Sequence, residues 1–454
     1  MEMITTKFDN FGKLSISENR RYLMEGDKPF FWLGDTAWLM FLKLDEDEIY
    51  TYLRNRKEKG YNVIQTVLIQ SPKDVESSQT PGRKDVKKSD YWEFVDRVLN
   101  MAEQMGLYIG LLPAWGSLVK SNILNMETMR TYANFLGKRY QNRKNLIWIL
   151  GEDVRGYAGY DVFCLEGEIL KSYNPERIIA YHPFGRTSSS RWFHNEPWLD
   201  MNLFRPGHRR YDQDSLGEWD DNVEKETFCG EDNWKYVDRW KYVDRWKYVD
   251  RDLSYDIVKP TLDAEPSYED IPQEFYNPRN PYWEEWDVRR YAYWSVFAGA
   301  AGYTYGSNSI MQFYYNFSSE PGVRVLGELW QDAMHYPGCA QLKYLKDLME
   351  SVDFINGKAD DSLLLFGRKE RYHRIAVFAG EDYILCYDYM GDEFLLDLRR
   401  FQNMELDAWW MDPRNNSLSY ITTIKEQEKW LASPVARKEK ANDWVLILKK
   451  AESR

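Results

Sequence analysis

A chain of 454 residues exceeds the usual single-domain range, so one large and one small domain are expected. A formal net charge of −12 argues against a nucleic-acid or anionic-membrane partner, since either needs a basic face. Hydrophobic content of 43% with 29% charge is globular in type, and 19 Trp and 33 Tyr suit a carbohydrate ligand packed on aromatic planes.

The opening MEMITTKFDN has no apolar core of a signal peptide, and no later run reaches the length of a membrane span. On that reading the chain is expected to be cytoplasmic, and nothing in it sets an oligomeric state. From there, short apolar strands alternate with helical segments, the signature of a parallel α/β fold. Strands are expected at 30–34, 62–69, 108–113, 146–150, 178–181, 199–203, 260–264 and 302–305. Helical periodicity fills the intervals: 45–59 behind a capping Asp45, then 90–105, 127–140, 161–173, a segment before Tyr255, 284–298 and 327–349. Eight βα units in residues 1–351 predict a (β/α)8 TIM barrel. A doubly wound sheet would need a Gly-rich phosphate turn after the first strand, and the turn there reads Gly34-Asp35-Thr36-Ala37-Trp38.

Beyond residue 351 the helical period disappears. Strand-like stretches at 362–366, 375–379, 383–389, 405–410 and 444–448, separated by Gly, Asp and Asn turns, predict a small antiparallel β-sandwich over 352–454. Inside the barrel region, WKYVDR repeats three times without interruption at 234–251. A six-residue period advances about 600° around a helix, so successive Trp residues point about 120° apart and give no single apolar stripe. The segment reads as tandem expansion within the helix before the seventh strand.

The residues able to carry chemistry gather where the strands end, the face on which such barrels build their sites. The first strand delivers Asp35 and Trp38, the second Gln65, and Trp115 follows the third. Glu152 and Asp153 follow the fourth, His182 the fifth, and Asn202, Arg205 and His208 come with the sixth. Glu265, Tyr268 and Glu269 follow the seventh, and Tyr305, Ser307 and Asn308 the eighth. Two acidic turns facing each other are what glycoside cleavage needs, one carboxyl to protonate the leaving oxygen and one to attack carbon or activate water. Glu265 suits the nucleophile. Glu152 and Asp153 both remain candidates for the acid, because neighbours in an extended segment point to opposite sides and only one should face the mouth. Asp35, Trp38, Gln65, Trp115, Glu152, His182, Asn202, His208, Tyr268, Tyr305 and Asn308 are the candidate sugar contacts. Ser307 has no nucleophile elbow around it, and Cys164, Cys229, Cys339 and Cys386 show neither CxxC pairing nor metal spacing with the five histidines. No metal and no cofactor are expected.

Six blocks in order, FFWLGDTAWLMF (30–41), EKGYNVIQ (58–65), WILGED (148–153), LDMNLFRPGH (199–208), KPTLDAEPSYE (259–269) and FAGAAGYTYGSNSIMQF (297–313), resemble the apiosidase-like proteins of glycoside hydrolase family 140. The tail, with DYMGDEF and AWWMDPRN, is similar to the small β domain that follows in that family. The resemblance implies an aspartate after strand four as acid/base and a glutamate after strand seven as nucleophile, which fall on Asp153 and Glu265. It also implies a pectic side-chain substrate bearing apiose. Two departures stand out. The family turn commonly reads Gly-Gly-Asp where this chain has Gly151-Glu152-Asp153, and Phe204-Arg205-Pro206 replaces a smaller, more polar segment. These departures motivate the rival expectation of a sugar-binding protein without turnover.

Overall fold

The computed structural model describes residues 12–70, 90–208, 246–273, 277–315, 327–367, 371–434 and 441–451. Cys229 and the first two copies of the WKYVDR repeat lie outside them. An antiparallel meander of β1 (Leu14–Ile16), β2 (Leu23–Glu25) and β3 (Lys28–Phe30) comes first. Its Leu14, Leu23 and Phe30 join the barrel's interior cluster, and Tyr108, at the start of the third barrel strand, donates to Glu25 at 2.7 Å. The meander therefore closes the N-terminal end of the barrel.

Eight parallel strands form the barrel: β4 (Trp32–Thr36), β5 (Val63–Ile69), β6 (Tyr108–Ala114), β7 (Leu146–Gly151), β8 (Ile179–His182), β10 (Met201–Arg205), β11 (Thr261–Asp263) and β12 (Gly302–Tyr305). The short β9 (Thr187–Ser188) pairs antiparallel with β10. Closure is direct, since β12 pairs with β4 and β11 pairs with both β10 and β12. Alternation then sorts the side chains. Trp32, Val63, Val67, Leu112, Ile147, Ile149, Met201, Leu203 and Leu262 fill the interior. Ile64, Leu68, Leu111, Trp148 and Leu150 point outward to the helices.

The helices fall at Glu46–Glu58, Tyr91–Gln104, Met126–Tyr140, Tyr160–Tyr173, Trp246–Leu253, Glu285–Phe297 and Pro337–Glu350. Asp45 caps the first as expected, accepting from the Glu48 amide at 2.9 Å. Two sequence expectations shift. The segment 327–349 is two helices, Trp330–Ala333 and Pro337–Glu350, because Pro337 cannot continue one. The sixth strand starts at Met201 rather than 199, so its last residue is Arg205. The third repeat copy lies in Trp246–Leu253, where Tyr248 stacks on Phe204 at 5.2 Å and Trp246 meets Trp294 edge-on at 5.2 Å.

Antiparallel strands β13 (Lys358–Ala359), β14 (Leu364–Phe366), β15 (Ile375–Ala379), β16 (Tyr383–Asp388), β17 (Phe394–Asp397), β18 (Leu406–Asp412), β19 (Ser417–Ile424), β20 (Lys429–Ala432) and β21 (Trp444–Lys450) follow in two sheets, ordered β13-β15-β16-β21-β18-β19 and β14-β17-β20. Their facing sides share one core, with Ile375, Val377, Leu446 and Trp410 from one sheet and Phe394 and Leu396 from the other, so this is a β-sandwich. The sandwich docks on the helix Glu285–Phe297. Arg289 forms a bidentate pair with Asp443 at 2.7 and 2.8 Å, and Tyr293 stacks on Tyr387 at 4.5 Å. Next to them, the Arg290 guanidinium lies within 4.4–5.5 Å of the Tyr291, Trp294, Tyr372 and Tyr389 rings. Among the described residues no helix is long and apolar enough to cross a membrane.

Candidate active site

The fourth strand ends in three consecutive left-handed residues, Gly151, Glu152 and Asp153, with φ of 89°, 79° and 53°. For the two non-glycine residues this conformation costs about 1–3 kcal/mol each, and such strain gathers at functional sites. Gly151 has no alternative, because a Cβ there would lie 2.5 Å from the Tyr181 ring and 2.7 Å from the His182 carbonyl oxygen. Hydrogen bonds hold the turn: the Glu152 amide donates to His182 O at 2.9 Å, and the Gly116 amide to Glu152 O at 3.2 Å. In this backbone the expected alternation fails. Both carboxylates converge on Arg205, whose Nη1 lies 3.2 Å from Glu152 Oε1 and 2.8 Å from Asp153 Oδ1.

The other guanidinium nitrogen of Arg205 reaches across the mouth to Oε1 of Glu265 at 2.6 Å. His208 supports the same oxygen. Its Nδ1 accepts from the Tyr268 amide at 3.3 Å, which leaves the proton on Nε2, 3.0 Å from Glu265 Oε1. On the second Glu265 oxygen, Oε2, His182 Nε2 stands at 3.7 Å, while His182 Nδ1 contacts Glu152 Oε2. Trp38 lies edge-on to His182 at 5.4 Å and to Trp115 at 5.8 Å, forming an aromatic wall. Tyr268 packs against His208 at 4.5 Å between centroids. Gln65 points inward below this group and donates across the barrel to Ala264 O at 3.1 Å.

The electrostatics separate the carboxyls. Burial opposes the charge on Glu265, yet Arg205, His208 and His182 more than offset it and hold its carboxyl down at about 2. Burial pushes Glu152 upward, only partly countered by His182 and Arg205. Burial alone would strip the proton from His182, but Glu152 and Glu265 outweigh it and raise its pKa. Asp153 differs in position: its side chain is 27% exposed, against 1% for Glu152 and 3% for Glu265. Glu265 is thus a buried carboxylate whose charged form is favoured by its neighbours, and Asp153 is the carboxyl that reaches solvent.

Among the described residues one His/carboxylate group has metal-ligand spacing, namely Glu152, His182 and Glu265, with ligand atoms within 4.8 Å of one another. Arg205 already places its charge on both of those carboxylates, so a divalent ion would sit against a guanidinium. The cluster reads as hydrogen-bonding and charge-balancing machinery.

Four candidate sugar contacts turn away from the mouth, three of them by strand parity and Asn308 by its place in a helical turn beyond the eighth strand. Asp35 points outward, where Tyr52 donates to it at 2.6 Å and Arg56 forms a fully buried ion pair with it. Tyr305, paired with Asp35 in register, donates outward to Glu269 at 2.6 Å. Asn202 bonds His194 at 3.1 Å and Ser189 at 3.2 Å in the helix layer. Asn308 sits in the turn Asn308–Met311 behind the Ser307 cap, bonded by Gln312 at 3.1 Å. Asp153, Glu265, Glu152, His182, His208, Tyr268, Trp38, Trp115 and Gln65 are brought together. Arg205, to which the sequence pattern gives no role, joins all three carboxylates. Its signal was the inward parity it shares with Met201 and Leu203 once the strand extends to 205.

A closed (β/α)8 barrel with an ionised, buried glutamate and a solvent-facing aspartate on one guanidinium at its C-terminal mouth defines a glycoside hydrolase. The chain belongs to the family described as apiosidase-like, catalytic domain, whose model matches residues 17–356. Residues 359–449 match the family described as "Putative collagen-binding domain of a collagenase". Among solved structures, a protein described as a glycoside hydrolase is 35% identical, with 98% of each chain covered and a TM-score of 0.86. A glycoside hydrolase family 5 protein from Bacteroides vulgatus ATCC 8482 is also 35% identical, with 97% of this chain and 94% of that one covered and a TM-score of 0.84. Among curated proteins, none matches.

Proposed function

We propose that the enzyme cleaves a terminal sugar, apiose or a close relative, from a pectic oligosaccharide with retention of configuration. Glu265 attacks the anomeric carbon while Asp153 gives its proton to the leaving oxygen, so the C–O bond breaks as the glycosyl ester forms. Asp153, now ionised, takes a proton from water, whose oxygen displaces Glu265 and regenerates both groups. Trp38 and Trp115 supply the aromatic wall for the sugar, with His182, His208, Tyr268 and Gln65 lining its hydroxyl side.

The observation that carries this reading is Arg205, which touches Asp153 at 2.8 Å and Glu265 at 2.6 Å at once. One planar guanidinium spanning both groups favours the close carboxyl pair of retaining enzymes, about 5–5.5 Å, over the wider inverting pair. The substrate class rests on membership of the apiosidase-like family. The test is sugar release from a panel of pectic and hemicellulosic oligosaccharides by the parent and Glu265→Gln, with the anomer of the first product read by NMR. Release of apiose as the retained anomer by the parent alone supports every part. An inverted product removes the covalent step, release of another sugar replaces the substrate, and binding without release points to a lectin-like protein.

A further inference from the structure

Resting on that glycosidase reading, we infer that Glu152 is a positioning residue that holds His182 as an imidazolium, so that Nε2–H is presented beside Glu265 to the substrate hydroxyl adjacent to the anomeric carbon.

The argument starts from the two ring nitrogens. Nδ1 of His182 contacts Glu152 Oε2, and Nε2 faces Glu265 Oε2. An ionised carboxylate only accepts, so each nitrogen is best matched by carrying a proton. The other Glu152 oxygen takes Arg205 Nη1 at 3.2 Å, and Arg205 and His182 both favour its charged form against burial. Among the described residues, three charged groups act directly on the ring. Glu152 comes from the turn after β7, Arg205 from β10 and Glu265 from the loop after β11. Asp153 and His208 act at one remove, through Arg205 and Glu265. Trp38 closes the remaining side edge-on.

The 3.7 Å gap between Nε2 and Glu265 Oε2 is too long for a direct hydrogen bond. A hydroxyl set beside the two atoms, about 2.8 Å from each, accepts from the imidazolium and donates to the nucleophile. During attack, that hydroxyl sits next to a carbon gaining positive character, where hydrogen bonds strengthen toward the transition state. A neutral imidazole would present a lone pair to a carboxylate, and the hydroxyl could then bridge only by giving up its donor role to one of them. Ring and carboxylates are nearly solvent-free, with side-chain exposure of 0% for His182 and 1% for Glu152, so the charge-assisted bond is little screened.

The experiment has two independent arms. NMR of isotope-labelled histidine, with His182→Gln assigning one of the five histidines, reads the protonation of His182 without any turnover. Both nitrogens are expected to carry protons at neutral pH in the parent, and the proton is expected to leave at lower pH in Glu152→Gln. A neutral His182 in the parent at mildly acid pH overturns the inference. In the kinetic arm, Glu152→Gln lowers kcat/KM by about 10- to 100-fold, mostly in kcat, the loss of one charge-assisted bond. Its basic limb moves to lower pH, and Glu152→Asp, which keeps the charge, recovers most of both. A glycoside lacking the hydroxyl next to the anomeric carbon costs the parent heavily and costs Glu152→Gln and His182→Gln little more. An unmoved basic limb, or an undiminished deoxy penalty in the variants, leaves Glu152 merely structural. If Glu152→Gln does not fold, the deoxy comparison in His182→Gln decides alone. No release by the parent from any glycoside sinks the glycosidase reading, while the NMR arm still decides the pair.

Discussion

Arg205 Nη2 lies 2.6 Å from Oε1 of Glu265, and through its other terminal nitrogen the same guanidinium holds Asp153 and Glu152. It is the main attraction keeping Glu265 ionised against the cost of burial. Replacing it with Gln removes that attraction, so the Glu265 pKa rises from about 2. The sign follows: attack needs the carboxylate, and a higher pKa means activity is lost at higher pH as the solution is acidified. The parent profile should stay flat on its acid side until the fold fails. Arg205→Gln should show an acid limb at higher pH and a kcat/KM about 100- to 1000-fold lower. Measuring kcat/KM against pH for both proteins checks this, and superimposable profiles would refute it.

Asp153 is distinguished from Glu152 by access, at 27% side-chain exposure against 1%. A general acid matters in proportion to how badly its leaving group needs a proton. Asp153→Asn should therefore lose about 100- to 10,000-fold on an unactivated oligosaccharide and far less on an aryl glycoside with an acidic phenol. Equal losses on both substrates would give the acid role to another group.

Asp35 and Arg56 form an ion pair with both side chains fully buried, outside the barrel and away from the mouth. Arg56→Ala strands a buried carboxylate and should cost about 3–5 kcal/mol, a Tm fall of about 4–7 °C. Calorimetry should show that fall, with kcat per folded molecule unchanged. A loss of kcat at unaltered Tm would return Asp35 to the substrate site.

The β-sandwich meets the barrel through Arg289–Asp443, Tyr293–Tyr387 and the aromatic rings around Arg290. The helix that carries these groups, Glu285–Phe297, lies between β11 and β12. Asp443→Ala leaves Arg289 buried without its partner and should cost about 3–5 kcal/mol. Truncation after Ser351 would expose the Tyr293, Trp294 and Phe297 face and should yield aggregated barrel. A soluble truncated chain with parental turnover would show that the sandwich is dispensable to the fold.

Strand parity explains why the candidate site was only partly legible. A sequence shows which polar residues stand at strand ends, and Glu265, His182, His208 and Trp38 were found that way. Whether a given residue faces the mouth depends on register, where one position reverses the direction. Asp35, Asn202 and Tyr305 sit on the outward parity and serve the helix layer instead. Arg205 stands on the inward parity of a strand that runs past its apolar stretch, which the apolar pattern alone does not show.

Local pattern and ordered motifs determined the barrel, the antiparallel tail, the acidic turns and the sugar-cleaving chemistry, because hydrophobic periodicity and turn residues act over a few positions. The convergence of Glu152 and Asp153 was decided only in three dimensions. An extended chain would have sent them apart, and three successive left-handed residues turn both onto Arg205. Closure of the barrel decided the rest. It set Arg205, His182 and Glu265 from separate strands within reach of one another, and in a site dry enough for their charges to hold each other's protons in place.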